Sequence, residues 1–270
     1  EVQWCQPGVK DWVRFRDGFR MDRIYSQMGY VFAKHIFGIK GSYAVDPQKG
    51  AVVMTLTTQG DVPIHYTLDG SEPTAASPRY TGPVEIGKSA RFRATALREG
   101  GENASYSREF AFSKSTGRPA VLNTKPNDSY TFEGASLLVD GYHSRPVFTS
   151  GAWLGYLDEP LDVTIDMGGE QSYRSVELET LAEKGDWIFP PSSVTVWVSD
   201  NGTDFTEVAS VAVPEAKAGD ADGIGRYRMQ FPETSARYLK VVAQNAAAIP
   251  AWHPGAGSKG FLFVDEVVVE

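Results

Sequence analysis

Two segments of the sequence place an indole ring among glycine, proline and charged residues. They are Gly185–Pro190, which contains Trp187, and Ile249–Lys259, which contains Trp252, His253 and Lys259. An aromatic face can stack on the apolar C–H face of a sugar ring, and charged groups can bond to its hydroxyls. We therefore expect Trp187 and Trp252 to stack on a carbohydrate. His253 and Lys259 are expected to donate to its hydroxyls. Each indole could instead pack beneath its own loop.

A second polar set follows the dipeptide Asp140-Gly141. His143 and Arg145 lie on this loop and are alternative candidates for the sugar-hydroxyl contacts. The four histidines of the sequence show no spacing typical of a zinc site. No Ser-His-Asp or phosphate-loop pattern stands out either.

The spacing of apolar residues changes along the chain. Up to about residue 40 they recur every three to five positions, which predicts two helices over about 9–17 and 19–36. From about 43 they alternate with polar residues between Gly, Pro and Asp turns, which predicts short strands. Ser113–Pro119 is the best linker candidate. Strand patterns continue from 120 to 270 and predict a second, larger sandwich or jelly roll.

Composition narrows the classes of partner. The 270 residues carry a formal net charge of −8, which argues against nucleic acid or an anionic membrane as the main partner. No stretch approaches the roughly 18 apolar residues of a membrane-spanning helix, so we expect no membrane insertion. With Cys5 as the single cysteine, neither an intramolecular disulfide nor a cysteine-based metal site is expected.

The string Ile64-His65-Tyr66-Thr67-Leu68-Asp69-Gly70-Ser71-Glu72-Pro73-Thr74 reads as a strand that runs into a turn, with the positive φ at Asp69-Gly70. It resembles the Ig-like domain at the C-terminus of chitobiases and β-hexosaminidases, and Ser77, Tyr80 and Pro83 continue that pattern. The resemblance implies a spacer or packing domain without catalytic residues.

The first segment is similar to the last helices of the (β/α)₈ barrel of glycoside hydrolase family 20, which precede that domain. The resemblance rests on Glu1–Trp4, Ile24-Tyr25 and Gly29–His35. The family's catalytic unit is an adjacent Asp-Glu pair that acts with the substrate's own acetamido group, an exception among glycosidases. Asp158-Glu159 and Asp265-Glu266 are such pairs, but neither lies in a barrel context. We expect no catalytic residues in this chain, which is then inactive alone although its parent protein is a β-N-acetylhexosaminidase.

The last 150 residues resemble the discoidin, or coagulation-factor C-type, fold, which is also a galactose-binding-like carbohydrate-binding module fold. The matching segments are Val139–Gly141, Trp153–Tyr156, Val163–Gly168, Pro191–Val194, Val198–Gly202, Ala236–Lys240 and Asp265–Val267. Related modules often hold a structural Ca²⁺ with backbone carbonyls, the Asp of the Asp-Gly turn and a C-terminal Glu. The resemblance thus implies Asp140 and Glu266 as calcium ligands, and oxygen donors suit this ion. The loop Tyr142–Ser150 departs from the usual pattern, because it lacks the Asp-x-x-Thr run that follows Asp-Gly in related modules.

Together these features predict a mainly β chain with three parts. We expect a helical barrel remnant at 1–41, an Ig-like β-sandwich at 42–114 and a discoidin-type jelly-roll sandwich at 115–270. The predicted function is non-catalytic: the terminal sandwich binds glycans ending in galactose or N-acetylhexosamine and tethers the upstream catalytic barrel to its substrate. The expected location is the periplasm, cell surface or medium of a bacterium. The alternative is a pair of structural domains that pack on the barrel and bind no ligand.

Overall fold

A computed structural model describes residues 38–58, 62–97 and 103–270. The two helices predicted within 1–41 lie outside these residues. By its internal contacts the chain divides into two compact units. The first takes in the described parts of Glu1–Tyr43, Met54–Val84 and Ala90–Arg108, and the second Ala44–Val53, Glu85–Ser89 and Glu109–Glu270.

Thirteen strands and four short 3-10 turns make up the regular structure of the described residues. The strands are β1 (Lys40–Asp46), β2 (Ala51–Thr57), β3 (Ile64–Thr67), β4 (Val84–Ile86), β5 (Ala90–Ala96), β6 (Ala104–Phe110), β7 (Ala120–Leu122), β8 (Leu154–Tyr156), β9 (Leu161–Ala182), β10 (Ser193–Ser199), β11 (Thr206–Ala212), β12 (Gly223–Gln244) and β13 (Leu262–Val269). Among the described residues no helix is long and apolar enough to cross a membrane.

The first six strands form two three-stranded sheets, in the orders β1-β2-β4 and β3-β5-β6. Side chains that alternate along β2 and β5, such as Met54 and Phe92, are fully buried, as the period of two predicts. The predicted turn after β3 is present, with Gly70 at φ 84°. An Asp69 carboxylate oxygen accepts from the Ser71 N–H at 3.0 Å and stabilises the turn. The expected Ig-like sandwich is confirmed.

The remaining strands form one seven-stranded sheet in the order β11-β10-β12-β9-β13-β8, with β7 paired to β9. β9 and β12 are each 22 residues long and pair antiparallel along their whole length. Two register shifts interrupt their pairing, after Gln230 and after Ala236. Such shifts bend long strands, which lets one sheet close around a single core as in a jelly roll. The expected discoidin-type sandwich is confirmed.

Strand register brings three connections to one end of this sandwich. Gly223 at the start of β12 pairs with Ala182 at the end of β9, and Phe263 of β13 pairs with Leu181. The residues that follow β9, precede β12 and precede β13 therefore lie close together. We call this group, comprising residues 183–192, 213–222 and 245–261, the loop end.

Candidate functional site

Trp187 lies in the β9–β10 connection, directly after a 3-10 turn at Lys184–Asp186. Its backbone has φ 64°, in the left-handed region, where a residue with a side chain costs about 1–2 kcal/mol. Neighbouring residues cover only part of the ring, because 43% of Trp187 is exposed. Backbone strain of this kind concentrates at functional sites. The exposed indole face and its place at the loop end make Trp187 a candidate ligand contact.

Trp252 lies in the β12–β13 connection and is 40% exposed. Its indole N–H donates to the Ala216 carbonyl at 3.0 Å, which fixes the plane of the ring. The described residues hold six exposed large hydrophobic side chains, and Trp187 and Trp252 are two of them. The predicted pair of indoles is thus brought to one end of the sandwich with part of each residue in solvent.

His253 is the buried side chain between the two indoles. Its ring centroid lies 6.0 Å from that of Trp187 and 5.6 Å from that of Trp252, with nearly perpendicular planes. Nδ1 accepts from the Gly255 N–H at 3.1 Å, so Nε2 carries the proton and donates to the Lys184 carbonyl at 2.9 Å. Both ring nitrogens are therefore engaged within the protein. The expected role of His253 as a hydroxyl donor is corrected to that of a brace for the indoles.

Glycine at position 255 leaves the space that the Trp187 ring occupies. A Cβ atom there would lie 2.8 Å from Cζ2 of Trp187, closer than real contacts allow. Packing against this backbone covers one part of the indole and leaves the rest exposed. The sequence reasoning missed this contact, because the two residues are far apart in the chain.

A buried lysine ties two connections of the loop end together. The Lys184 ammonium group pairs with the Asp222 carboxylate and donates to the Asp220 carbonyl at 2.9 Å. The Lys184 N–H also donates to Asp222, at 3.1 Å. The hydrogen bond from Lys184 holds the pKa of Asp222 below its usual range. This clamp holds the turn that carries Trp187.

Lys259 and Arg145, the other predicted contacts, lie on the surface. The Lys259 ammonium is 2.6 Å from the Asp158 carboxylate, and both side chains are more than 60% exposed. Such a pair is worth little and exchanges readily with solvent or ligand. Arg145 is exposed, and its backbone carbonyl accepts from the indole N–H of Trp153, which is fully buried.

His143 belongs to a polar cluster that the sequence did not reveal. Its Nδ1 lies 2.8 Å from Oε2 of the fully buried Glu179, an ion-pair contact whose N–H is not aimed closely enough for a directed hydrogen bond. Arg226 pairs with the same carboxylate, and its side chain stays 56% exposed. The Glu179 carboxylate raises the pKa of His143. Burial alone would raise the pKa of Glu179, but His143 and Arg226 outweigh it and lower that pKa.

The two predicted calcium ligands lie next to each other in the fold. Asp140 accepts from the Tyr142 N–H at 2.7 Å, and Glu266 accepts from the Gly141 N–H at 3.1 Å through Oε1. Oε2 of Glu266 is buried without a hydrogen-bond partner. Burial, together with the negative Asp140 and Asp265 nearby, raises the pKa of Glu266 well above its usual range.

This arrangement fits a cation in one respect, because an ion would satisfy the orphaned Glu266 oxygen and offset the charge repulsion. The described residues contain no group of three or more His, Cys, Asp or Glu side chains that could hold a metal. A calcium ion here would therefore need backbone carbonyls or water to complete its six to eight oxygen ligands.

Two family models match the chain. A model of the F5/8 type C domain matches residues 123–259, which is just over half of the sequence. The chain belongs to the F5/8 type C domain family. A model described as the chitobiase/beta-hexosaminidase C-terminal domain matches residues 41–108. Of the three resemblances expected from the sequence, these two are confirmed; the residues that carry the third, to the last helices of a (β/α)₈ barrel, lie outside the described residues. No curated protein matches the chain.

Several solved structures resemble the F5/8 type C domain. Chitosan-binding module 1 from a chitosanase/glucanase of Paenibacillus sp. IK-5 is 17% identical, with 58% of this chain and 98% of that chain covered and a TM-score of 0.39. CpGH89CBM32-5 from Clostridium perfringens, in complex with GalNAc-β-1,3-galactose, is 16% identical, with 56% and 94% covered and a TM-score of 0.38. A Streptococcus pneumoniae fucose binding module is 22% identical, with 58% and 94% covered and a TM-score of 0.37.

Proposed function

We propose that the F5/8 type C domain binds carbohydrate at the loop end, with Trp187 and Trp252 as its stacking faces. The observation that carries this proposal is the pair of partly exposed indoles held in fixed orientations around His253. Two such rings leave apolar surface in contact with water unless a ligand covers them. A pyranose suits this surface, because its C–H face is apolar and its rim is polar.

Hydroxyl contacts in this proposal come from side chains that remain open to solvent. Lys259 reaches the surface beside Asp158, and Arg145 is exposed. Arg226 and His143 offer donors from the polar cluster, with 56% and 32% of their side chains exposed. Because each of these groups stays partly hydrated, a single sugar should bind weakly. The small number of atoms in a monosaccharide leads to the same expectation.

We further propose that the sugar is a terminal galactose or N-acetylhexosamine and that the chain is the non-catalytic end of a secreted bacterial β-N-acetylhexosaminidase. The chitobiase/beta-hexosaminidase C-terminal domain at 41–108 supports this parentage. A weak site can still hold a tethered enzyme near its substrate, because tethering raises the effective concentration of the enzyme at the bound glycan.

Calcium is proposed as a structural ion of this domain, with Asp140 and Glu266 among its ligands. When bound, it would supply positive charge beside two buried carboxylates and a fixed anchor for the Asp140-Gly141 turn. Gly141 adopts φ 71°, and a Cβ atom there would lie 2.9 Å from the Thr116 methyl group. The turn thus already depends on glycine for its shape.

Calorimetric titration of the whole chain with galactose, N-acetylglucosamine and their short oligomers tests the proposed function. We expect millimolar to high-micromolar binding to at least one of these sugars, weakened at least fivefold by Trp187→Ala or Trp252→Ala. Phe132→Ala is the matched control, because Phe132 is 46% exposed but lies outside the loop end. A flat titration with every sugar would overturn the proposal in favour of purely structural domains. Equal binding by wild type and both tryptophan variants would remove the loop end as the site.

A further inference from the structure

A cleft opens at the loop end beside Trp252. Its volume is about 340 Å³, at the lower end of the range for small-molecule sites. Fourteen residues from all three connections line it, among them Phe189, Ser192, Glu215, Ala216, Ala247 and Ala251.

The walls of this cleft are apolar. Of the fourteen lining residues, only Ser192 and Glu215 have polar side chains. The Ser192 hydroxyl already donates to the Asn245 carbonyl at 2.9 Å. Several backbone groups of the wall are paired as well; for example, the Val213 N–H donates to the Ser192 carbonyl at 2.8 Å. Away from the exposed Glu215 carboxylate, a sugar hydroxyl placed inside would lose its water and find few partners to replace it.

The cleft is continuous with the proposed stacking surface. Ala251 lines it and directly precedes Trp252, and the Ala216 carbonyl that receives the indole N–H belongs to another lining residue. Phe189, a third lining residue, has its ring centroid 6.3 Å from that of Trp252. A sugar stacked on this indole therefore has an apolar cavity at its side.

We propose that the cleft receives the apolar aglycone of a glycoside whose sugar ring stacks on Trp252. This inference rests on the proposed carbohydrate-binding function and narrows its ligand to a sugar that carries an alkyl or similar hydrocarbon group. The two surfaces suit different parts of such a ligand. The indole covers the C–H face of the sugar ring and leaves its hydroxyls to solvent and charged groups, while the cleft takes the part that needs no hydrogen bonds.

A series of methyl, butyl and hexyl β-N-acetylglucosaminides, with the matching galactosides, measures the effect directly by calorimetric titration of the whole chain. Each buried methylene contributes about 0.8 kcal/mol, or roughly a fourfold gain in affinity. We expect at least a tenfold gain from the methyl to the hexyl glycoside. Equal affinity along the series would overturn the inference.

Ala247→Leu fills the cleft from an exposed lining position, so it should not disturb the core. It should abolish the gain with chain length and leave the affinity for the methyl glycoside within twofold of wild type. Ala218→Leu is the matched control, because Ala218 is exposed in the β11–β12 connection of the same loop end but does not line the cleft. Retention of the full gain in Ala247→Leu would contradict the assignment of the cleft.

The two proposals fail in distinguishable ways. If the methyl glycoside binds and Trp252→Ala weakens it, but chain length has no effect, the sugar site stands and the aglycone site falls. If hexanol binds as tightly as the hexyl glycosides, the sugar contributes nothing and both the proposed function and this inference are overturned, which leaves a plain apolar cavity.

Discussion

If calcium binds where we propose, its removal should destabilise the F5/8 type C domain through Glu266. This residue is fully buried, and its Oε2 atom has no hydrogen-bond partner. An unsatisfied buried acceptor costs about 1–3 kcal/mol, and more when it is charged. A calcium ion that contacts this oxygen would offset that cost. At a free calcium concentration of 100 times the Kd, binding raises the free energy of unfolding by about 2.7 kcal/mol.

The expected shift can be measured by thermal unfolding at neutral pH with excess calcium or with a chelator. A change of 1 kcal/mol moves Tm by about 2–4 °C for a chain of this size class. We therefore expect Tm to rise by roughly 5–11 °C when calcium is added. Glu266→Gln should abolish the calcium response, because the amide keeps the shape of the side chain and removes its charge.

Glu233→Gln is the control for this experiment, since Glu233 is an exposed carboxylate paired with Arg174 on the surface. It should leave the calcium response unchanged. Identical unfolding of the wild-type protein with calcium and with chelator would refute the assignment of Asp140 and Glu266 as ligands. An undiminished response in Glu266→Gln would show that calcium acts elsewhere.

Three further predictions follow from the loop end and its supports. Asp222→Asn should lower the free energy of unfolding by about 1–2 kcal/mol, because it leaves the mostly buried Lys184 ammonium with a weaker partner. Folding lowers the pKa of Asp222, so this contribution is present above the ordinary pKa of 3.8 and is lost as pH falls below it. Denaturant titrations at pH 7 and pH 3 would detect the difference. Gly255→Ala should displace the Trp187 indole and weaken sugar binding severalfold with little change in Tm, whereas Gly185→Ala, where a Cβ meets nothing within 4 Å, should do neither. Gly141→Ala should lower the free energy of unfolding by about 1–2 kcal/mol, because Gly141 has a positive φ. A decrease no larger than that caused by Gly185→Ala would contradict this.

The fold was readable from the sequence where burial follows a simple period. In Leu161–Met167 every second residue is buried, as the alternation predicts. Gly168 and Gly169 lie between this run and the next strand pattern, Arg174–Leu181. In the structure Gly168 takes φ 79° and the strand continues through it as β9. Glycine signals a change of direction there without ending the strand.

The candidate site was only partly predictable. Trp187 and Trp252 stood out because exposed indoles in glycine-rich loops are unusual, and the structure brings them together. The role of His253 could not be read, because both of its hydrogen bonds depend on how the loops fold back. A histidine in a loop suggests a ligand contact, but the His253 ring is buried and its nitrogens bond within the protein, so it supports the two indoles instead.

The cluster around Glu179 was missed for a different reason. Glu179 and Arg226 are 47 positions apart and meet only through the register of β9 and β12. Glu179 is buried beneath His143 on the face of the sheet opposite its buried neighbours Leu178 and Thr180. An acidic residue in a strand usually faces solvent, so nothing local signals that a loop covers it.

The most direct test of the central claim is the indole ¹⁵N–¹H NMR spectrum of the chain, recorded during titration with the saccharide that binds best. The sequence contains six tryptophans, and each can be assigned by substitution. We predict that saccharide shifts the signals of Trp187 and Trp252 and leaves in place that of Trp197, which lies within β10 and outside the loop end. Saccharide binding that leaves both loop signals unmoved would contradict the account.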